Sequence, residues 1–135
     1  MKCEGGCLCG AFRYEFDRDK VISAHTCYCQ DCQKSTGSGS TTFVVLSEEA
    51  VQTLSGDLKS HATVGEDGST ITRAFCPECG SPIWSYCSQY PGMVYVKAGS
   101  MDDSDWVTVA SGFWRSSARP WAMPDGSYPV CEKNS

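Results

Sequence analysis

The ten cysteines of this 135-residue chain restrict its possible folds more than any other feature of the sequence. Seven of them lie in three short segments, "CLCG" (7–10), "CYCQDC" (27–32) and "CPECG" (76–80). Two cysteines separated by one residue seldom share an unstrained disulfide, so a disulfide framework would have to pair them with distant partners. Clustered thiols in a reducing compartment more often bind metal, and the spacing therefore favours metal over disulfides.

The composition limits the kinds of partner. A content of 41% hydrophobic and 11% aromatic residues is typical of one globular domain. The formal net charge of −5 argues against a phosphate-binding face, so we expect no nucleic-acid partner. Neither a signal peptide nor an apolar run long enough for a membrane span is visible, which predicts a cytoplasmic protein without a membrane partner.

Alternating and β-branched segments predict an all-β domain. "AFRYEF" (11–16) places three aromatic rings on one face and two charges on the other, as in a half-buried strand. Five further segments rich in β-branched and aromatic residues are predicted strands: "TTFVVL" (41–46), "STITRAF" (69–75), "SPIWSY" (81–86), "MVYVKAG" (93–99) and "VTVASGFW" (107–114).

At most one short helix is expected, over "SEEAVQTL" (47–54). Ser47 is a suitable N-cap, two glutamates favour the positive end of the helix, and Gly56 would follow its end. The domain is predicted to cover residues 1–122. Residues 123–135 mix proline, glycine and polar side chains, which predicts a loose C-terminal tail without an assigned function.

Two of the cysteine pairs are expected to share one closed metal site. Cys76 and Cys79 have the spacing of a zinc knuckle, and Gly80 permits the backbone turn that such a knuckle requires. Cys7 and Cys9 supply a second pair, which completes the four thiolates of a structural zinc. A redox-active Cys76/Cys79 pair is the alternative, but the sequence lacks the βαβ context typical of thioredoxin-like motifs.

The remaining cluster predicts a second zinc with an open position. Cys27, Cys29 and Cys32 provide three ligands, and three protein ligands are typical of catalytic zinc, whose fourth position accepts a substrate. The alternative is a closed structural site, in which a further side chain supplies the fourth ligand. The candidates for that ligand are His25, Cys3, Cys87 and Cys131.

Five segments together resemble a known family. "GGCLCGAFRYEF", "CYCQDCQKSTGS", "FCPECGSPIW", "VKAGSMDD" and "WRSSARPWA" follow the order and spacing of the glutathione-dependent formaldehyde-activating (Gfa-like, centromere protein V) family, over most of residues 4–122. The resemblance implies a β-rich, tent-like fold with two zinc ions per chain. It also implies carbon–sulfur lyase chemistry that reversibly joins glutathione and formaldehyde as S-(hydroxymethyl)glutathione.

The chemistry of the three-cysteine site agrees with a thiol substrate. Zinc on three thiolates carries a formal charge of −1, which makes it a poorer Lewis acid than zinc on three histidines. Such a site is better suited to hold a substrate thiol as a thiolate that attacks an aldehyde carbon. We therefore expect Cys27, Cys29 and Cys32 to form the catalytic centre of a lyase for a small thiol–aldehyde adduct, for which a glutathione derivative is one candidate.

An anionic substrate also calls for positive charge near the site. The candidates are Lys34, Arg73, Lys97, Arg115 and Arg119, although a solvated surface position is the better interpretation for each one taken singly. The small residues of "STGSGS" (35–40) would allow close approach to a ligand or form an ordinary connector. Trp84 is expected in the core, whereas Trp114 and Trp121 could also wall a pocket.

Two other functional classes stay open at the level of sequence. In the first, the chain is a zinc-stabilised protein-binding module without turnover, and its second site is closed. In the second, it is a thiol or redox protein that binds no metal. A shared fold and metal site do not guarantee shared turnover, and the oligomeric state is not visible in the sequence.

Overall fold

The computed structural model describes residues 1–134. Within that range it contains one α-helix, α1 (Gln30–Thr36), and ten β-strands. The strands are β1 (Lys2–Gly6), β2 (Arg13–Asp17), β3 (Ser23–Cys27), β4 (Thr41–Ser47), β5 (Val51–Ser55), β6 (Lys59–Val64), β7 (Thr70–Phe75), β8 (Pro82–Cys87), β9 (Met93–Lys97) and β10 (Ser111–Phe113). The predicted all-β class with one short helix is confirmed.

The strands form two sheets. One has three strands in the order β1-β2-β5, and the other has seven in the order β10-β3-β4-β9-β8-β7-β6. Neighbouring strands are antiparallel except for β10, which runs parallel to β3. A search of residues 1–134 for an apolar helix with the length of a membrane span finds none.

The core lies between the two sheets. Neighbouring strands of the larger sheet align Ala74 with Trp84, Trp84 with Val96, and Val96 with Val44, so that this row of buried side chains faces the smaller sheet. From the smaller sheet, Tyr14 packs edge-on against Trp84 with ring centroids 5.7 Å apart. Trp84 is therefore a core residue, as predicted.

The alternate residues of the same strands occupy the opposite face of the larger sheet. Arg73 of β7 aligns with Ser85 of β8, and Ser85 aligns with Tyr95 of β9. Because successive side chains of a strand point to opposite faces, this second row is directed away from the core. The outer face of the larger sheet is thus free to carry a cleft.

The helix predicted over residues 47–54 is wrong. A single 3₁₀ turn spans Glu48–Ala50, Ser47 makes no side-chain cap, and the chain then continues as β5. Val51 aligns with Phe16 on β2, so pairing with the smaller sheet outweighs the local helical signal of the glutamates. The α-helix instead begins inside the second cysteine-rich segment, at α1, and includes Cys32.

The predicted strand over residues 107–114 is reduced to β10, and the chain that follows residue 127 runs alongside it. The backbone N–H of Gly112 donates to the carbonyl of Pro129, and that of Cys131 donates back to Gly112. Trp114 N–H donates to the carbonyl of Lys133. The division of the chain at residue 122 stays a prediction, but residues 129–133 are hydrogen-bonded to the larger sheet.

Candidate metal sites and the adjoining cleft

Four cysteines from two distant segments meet in the first candidate metal site. The sulfurs of Cys7, Cys9, Cys76 and Cys79 all lie within 4.8 Å of one another, with 3.6 Å between Cys7 and Cys9 and 3.8 Å between Cys9 and Cys76. Sulfurs about 2.3 Å from a tetrahedral zinc are roughly 3.8 Å apart, so the geometry fits this metal.

Hydrogen bonds orient these thiols. The backbone N–H of Phe12 donates to the sulfur of Cys7 over 3.2 Å, and this contact lowers the pKa of Cys7. The Ser81 hydroxyl lies 3.1 Å from the sulfur of Cys79 and lowers its pKa to about 5. The same Ser81 hydroxyl accepts the N–H of Leu8, so the two segments are joined by more than their sulfurs.

The second candidate site is built on the start of α1. Cys27 is the last residue of β3, and Cys29 is the N-cap of the helix, where its sulfur accepts the N–H of Cys32 over 3.3 Å. The three sulfurs lie within 4.8 Å of one another. Among residues 1–134, no histidine, carboxylate or further cysteine completes this group as a fourth ligand.

His25 is engaged elsewhere. Its Nδ1 lies 2.8 Å from the Ser111 hydroxyl and its Nε2 lies 2.8 Å from the Ser23 hydroxyl. Burial lowers the pKa of this imidazole, and its ring packs between Phe43 and Phe113. Both ring nitrogens therefore already have partners, which argues against His25 as the fourth ligand.

Two of the predicted cations lie beside the three-cysteine site. The Lys97 side chain is 8% exposed, and its Nζ donates to the Thr41 hydroxyl over 2.9 Å. Arg73 is half-buried and places Nη2 4.0 Å from the sulfur of Cys32, while Nη1 donates to Thr63. Both therefore stand next to the cluster, as a site for an anion would require.

The electrostatics of the cluster favour one thiolate in particular. Hydrogen bonds from Cys27 and Cys29, together with the charges of Lys97 and Arg73, lower the pKa of Cys32 to about 3. The interactions with Cys29 and Cys32 raise the pKa of Cys27. Negative charge is thus concentrated at Cys32, which lies within α1 and whose sulfur Arg73 approaches.

A cleft of about 440 Å³ opens from this cluster across the outer face of the larger sheet. Cys27, Cys29 and Cys32 line it together with Arg73 and Lys97. Its walls are largely aromatic and its rim is polar. The aromatic and rim residues are Phe43, Tyr86, Tyr90, Tyr95, Phe113, Trp114, Glu66, Asp67 and Asn134.

The C-terminal segment crosses the rim of this cleft. Trp114 is in the left-handed region at φ 66°, and its Nε1 donates to the Asn134 side chain over 2.6 Å. Lys133 pairs with Glu66 over 3.2 Å, and Asn134 donates to Asp67 over 3.4 Å. We call residues 132–134 the rim strap, because they connect Trp114 to the β6–β7 turn.

Other sequence candidates lie outside the cleft. Arg119 donates to the Gln33 side-chain oxygen over 3.0 Å, and Gln33 in turn donates to the carbonyls of Tyr28 and Ser117. Arg119 thus acts on the loop that carries the cysteines and not on the cleft. Lys34 is exposed, and Trp121 is 72% exposed.

Sequence reasoning offered Trp114 as a pocket wall, and it does line the cleft, but the tyrosines and phenylalanines of the walls and Gln33 were missed. Lys97 and Tyr95 are two residues apart on β9, and so are Arg73 and Ile71 on β7. The period of two therefore places the two members of each pair on the same face of their strand. Whether the two pairs lie on the same face of the sheet depends on the strand register across β8, however, and no local sequence pattern gives the register. Gln33 carried no signal beyond its position one residue after Cys32.

Comparison with known proteins decides the family. The family model described as "Glutathione-dependent formaldehyde-activating enzyme" (GFA) matches residues 2–117, and that range contains both cysteine clusters. The chain belongs to the GFA family. A protein of Halomonas elongata, provisionally named glutathione-dependent formaldehyde-activating enzyme, is 29% identical to this GFA chain over 116 residues, which cover 76% of the chain and 67% of that protein.

A solved structure shares the fold of this chain. The crystal structure of a Rhodobacter sphaeroides protein aligns with a TM-score of 0.60, covering 94% of this chain and 98% of that one. The sequence identity is 17%, so the likeness concerns the fold alone. The family predicted from the cysteine segments is confirmed by the family model and by the Halomonas elongata relative.

Proposed function

We propose that this GFA-family protein is a zinc-dependent carbon–sulfur lyase that forms and cleaves S-(hydroxymethyl)glutathione. Membership of the family supports glutathione-dependent formaldehyde activation. The observation that carries the finer proposal is the three-cysteine cluster, which lines a cleft of ligand-binding size and has no fourth ligand among residues 1–134.

The cluster is suited to zinc by the chemistry of its donors. Thiolate sulfur is a soft ligand that zinc accepts readily, and the three sulfurs are close enough to share one ion. A zinc ion bound there would hold a substrate thiol at the remaining position as a thiolate. We assign the four-cysteine cluster to a second, structural zinc, which gives two ions per chain.

The residues of the chain would position the substrate. Aromatic walls bury the apolar parts of the thiol and exclude water from the reacting sulfur, while the cations at the cluster favour an anionic ligand. The reaction itself is the addition of a thiolate to the carbon of formaldehyde, and cleavage is the reverse. Cys27, Cys29 and Cys32 would bind the zinc ion, and the cleft would bind the substrate thiol.

A cytoplasmic location is part of the proposal. Within residues 1–134, none of the ten cysteines forms a disulfide. Thiols stay reduced in the cytoplasm, where low-molecular-weight thiols are also abundant. We infer no nucleic-acid or membrane partner.

The first experiment is to count zinc per chain in protein purified without chelator, before and after incubation with excess glutathione and dialysis. We expect two ions that fall to one, because a thiol can reach the three-cysteine site. Two ions that thiol leaves in place would indicate a closed second site, as in a binding module. One ion or none at the outset would contradict the assignment of Cys27, Cys29 and Cys32.

Turnover is measured on the same preparation. Exchange of hydroxymethyl groups between glutathione and formaldehyde is followed by NMR, with a protein-free sample for the spontaneous rate. The proposal requires exchange faster than this background. A rate equal to background, from protein that holds two zinc ions, would reject the lyase function.

A further inference from the structure

The cations of the cleft have no carboxylate partner. Lys97 is more than nine-tenths buried, yet neither it nor Arg73 forms an ion pair within residues 1–134. Of the carboxylates that line the cleft, Glu66 pairs with Lys133 and Asp67 accepts from Ser69 and Asn134. The exposed Asp31 forms no ion pair with either cation within residues 1–134. Burial of an unpaired charge is unfavourable, so an anion bound in the cleft would stabilise these cations.

Lys97 also has hydrogen-bonding capacity to spare. Its ammonium group carries three protons, and in the described chain it makes a single hydrogen bond, to the Thr41 hydroxyl. Arg73 directs one arm to Thr63 and the other towards Cys32. Both groups line the cleft, so their remaining donors are available to a ligand there.

The charge of Cys32 does not satisfy both cations once its sulfur is bound to metal. A zinc ion on three thiolates would carry a formal charge of −1, whereas Arg73 and Lys97 together carry +2. One further negative charge is needed for balance. A substrate thiolate supplies it, and when the thiolate becomes a thioether that charge must move to another atom close by.

We propose that Arg73 and Lys97 form a cationic pair that binds the aldehyde oxygen as it becomes an alkoxide. The inference rests on the proposed lyase function and names two further catalytic residues for it. The sulfur lone pair forms the carbon–sulfur bond, and the π electrons of the carbonyl move to the oxygen, which carries the charge. Solvent then supplies the proton that completes the hydroxymethyl group, and the cations remain protonated throughout.

The reverse direction uses the same contacts. Loss of the hydroxyl proton to solvent gives the alkoxide beside Arg73 and Lys97, and its electrons re-form the carbonyl as the carbon–sulfur bond breaks. Donors already held in place around a developing oxyanion stabilise the transition state without reorganisation. The pair therefore acts on the transition state more than on the bound thiol.

A binding experiment tests the pair without turnover. S-(Carboxymethyl)glutathione carries a carboxylate near the position of the alkoxide, and S-(carbamoylmethyl)glutathione is its neutral counterpart of the same shape. Since hydrogen bonds to a charged group are stronger than neutral ones, we expect the zinc-loaded protein to bind the carboxymethyl adduct about tenfold more tightly in calorimetry.

Matched variants locate the effect. Arg73→Gln and Lys97→Met should remove the preference for the charged adduct and leave affinity for the neutral adduct within about threefold, while Lys97→Arg should retain part of the preference. Lys59→Met removes one exposed positive charge from the neighbouring strand outside the cleft and should change neither affinity. Zinc content and circular dichroism confirm that each variant is folded and loaded.

Kinetics supply the second test. Each of the two neutral substitutions should lower kcat for exchange by about a hundredfold with little change in the KM for glutathione. A raised KM with unchanged kcat would overturn the inference, because the pair would then bind a carboxylate of the thiol itself. Equal binding of both adducts by wild-type protein that still turns over would overturn it too and leave the lyase function standing. No binding of either adduct, together with no turnover, would reject both.

Discussion

Cys29 has two roles that use the same sulfur atom. It is a candidate metal ligand, and its sulfur also accepts the N–H of Cys32 as the cap of α1. A thiolate bound to metal still accepts such a hydrogen bond, and the bond favours the charged form. Metal binding and helix capping therefore reinforce each other at this residue.

Replacement of Cys29 by serine should separate the two roles. Serine is a good N-cap but a poor zinc ligand, so Cys29→Ser is expected to fold, to bind one zinc in place of two, and to lose exchange activity. Metal analysis and NMR exchange measure both effects. Cys131→Ser, which alters a cysteine outside both clusters, should keep two ions and full activity. Full turnover by Cys29→Ser would rule out a centre that depends on this sulfur.

At the scale of elements, α1 depends on its ends because it is only seven residues long. Its C-terminal residue is followed by Gly37, which adopts φ 69° and donates its N–H to the carbonyl of Gln33. The helix also holds Gln33, whose side chain fixes the loop that carries the cysteines. Loss of the C-terminal end of α1 would therefore disturb the geometry of the three-cysteine site.

Gly37→Ala tests this dependence. No neighbouring atom would touch the added methyl group, so the cost is backbone strain alone, about 1 kcal/mol. We expect a thermal midpoint lower by a few degrees and faster loss of zinc from the three-cysteine site to a chelator. Gly37→Asn should cost less, because asparagine tolerates this conformation. Equal effects of the two substitutions would show that the strain is not the cause.

The rim strap is the second element whose role can be measured. Its links to Glu66 and Asp67 are exposed polar contacts, each of which contributes at most about 1 kcal/mol. Removal of residues 132–135 should thus change global stability little. It should speed the reaction of the three-cysteine zinc with a coloured chelator, and high salt should have a similar effect on the full-length chain. A chelation rate unaffected by both changes would show that the rim strap does not limit access.

The sequence predicted more of the site than of the strand set. Cysteine spacing grouped the residues into the same sets of four and three that meet in the structure, because Cys-x-Cys and Cys-x-x-Cys are local geometries. Strands β1 and β6, by contrast, contain glycine, lysine and serine, and they form because neighbouring strands supply their hydrogen bonds. Helix α1 was not predicted, because its N-cap is a cysteine and not one of the usual capping residues. Its sequence also has no apolar stripe.

At the scale of the whole molecule, the four-cysteine site connects parts that the strand order keeps apart. Cys7 and Cys9 follow the first strand of the smaller sheet, whereas Cys76 and Cys79 lie between β7 and β8 of the larger one. A metal ion there would join the two sheets at one end of the core. The three-cysteine site, in contrast, belongs to the larger sheet and α1.

Cys76→Ser should accordingly affect stability more than Cys29→Ser does. We expect loss of one zinc and a free energy of unfolding lower by more than about 2 kcal/mol, because a structural zinc contributes its binding energy to folding. Denaturant titration of the two variants side by side makes the comparison. A Cys76→Ser protein as stable as Cys29→Ser would argue against a structural role for the four-cysteine site.

The distance between Cys9 and Cys76 along the chain also has a consequence for biosynthesis. These sulfurs are 3.8 Å apart in the folded protein but 67 residues apart in sequence. Chains emerge from the ribosome at about 5–20 residues per second, so the first pair of thiols waits for several seconds before its partners exist. During that interval zinc has only half a site to occupy. The supply of zinc in the cell should therefore set how much of the newly made chain reaches the native state.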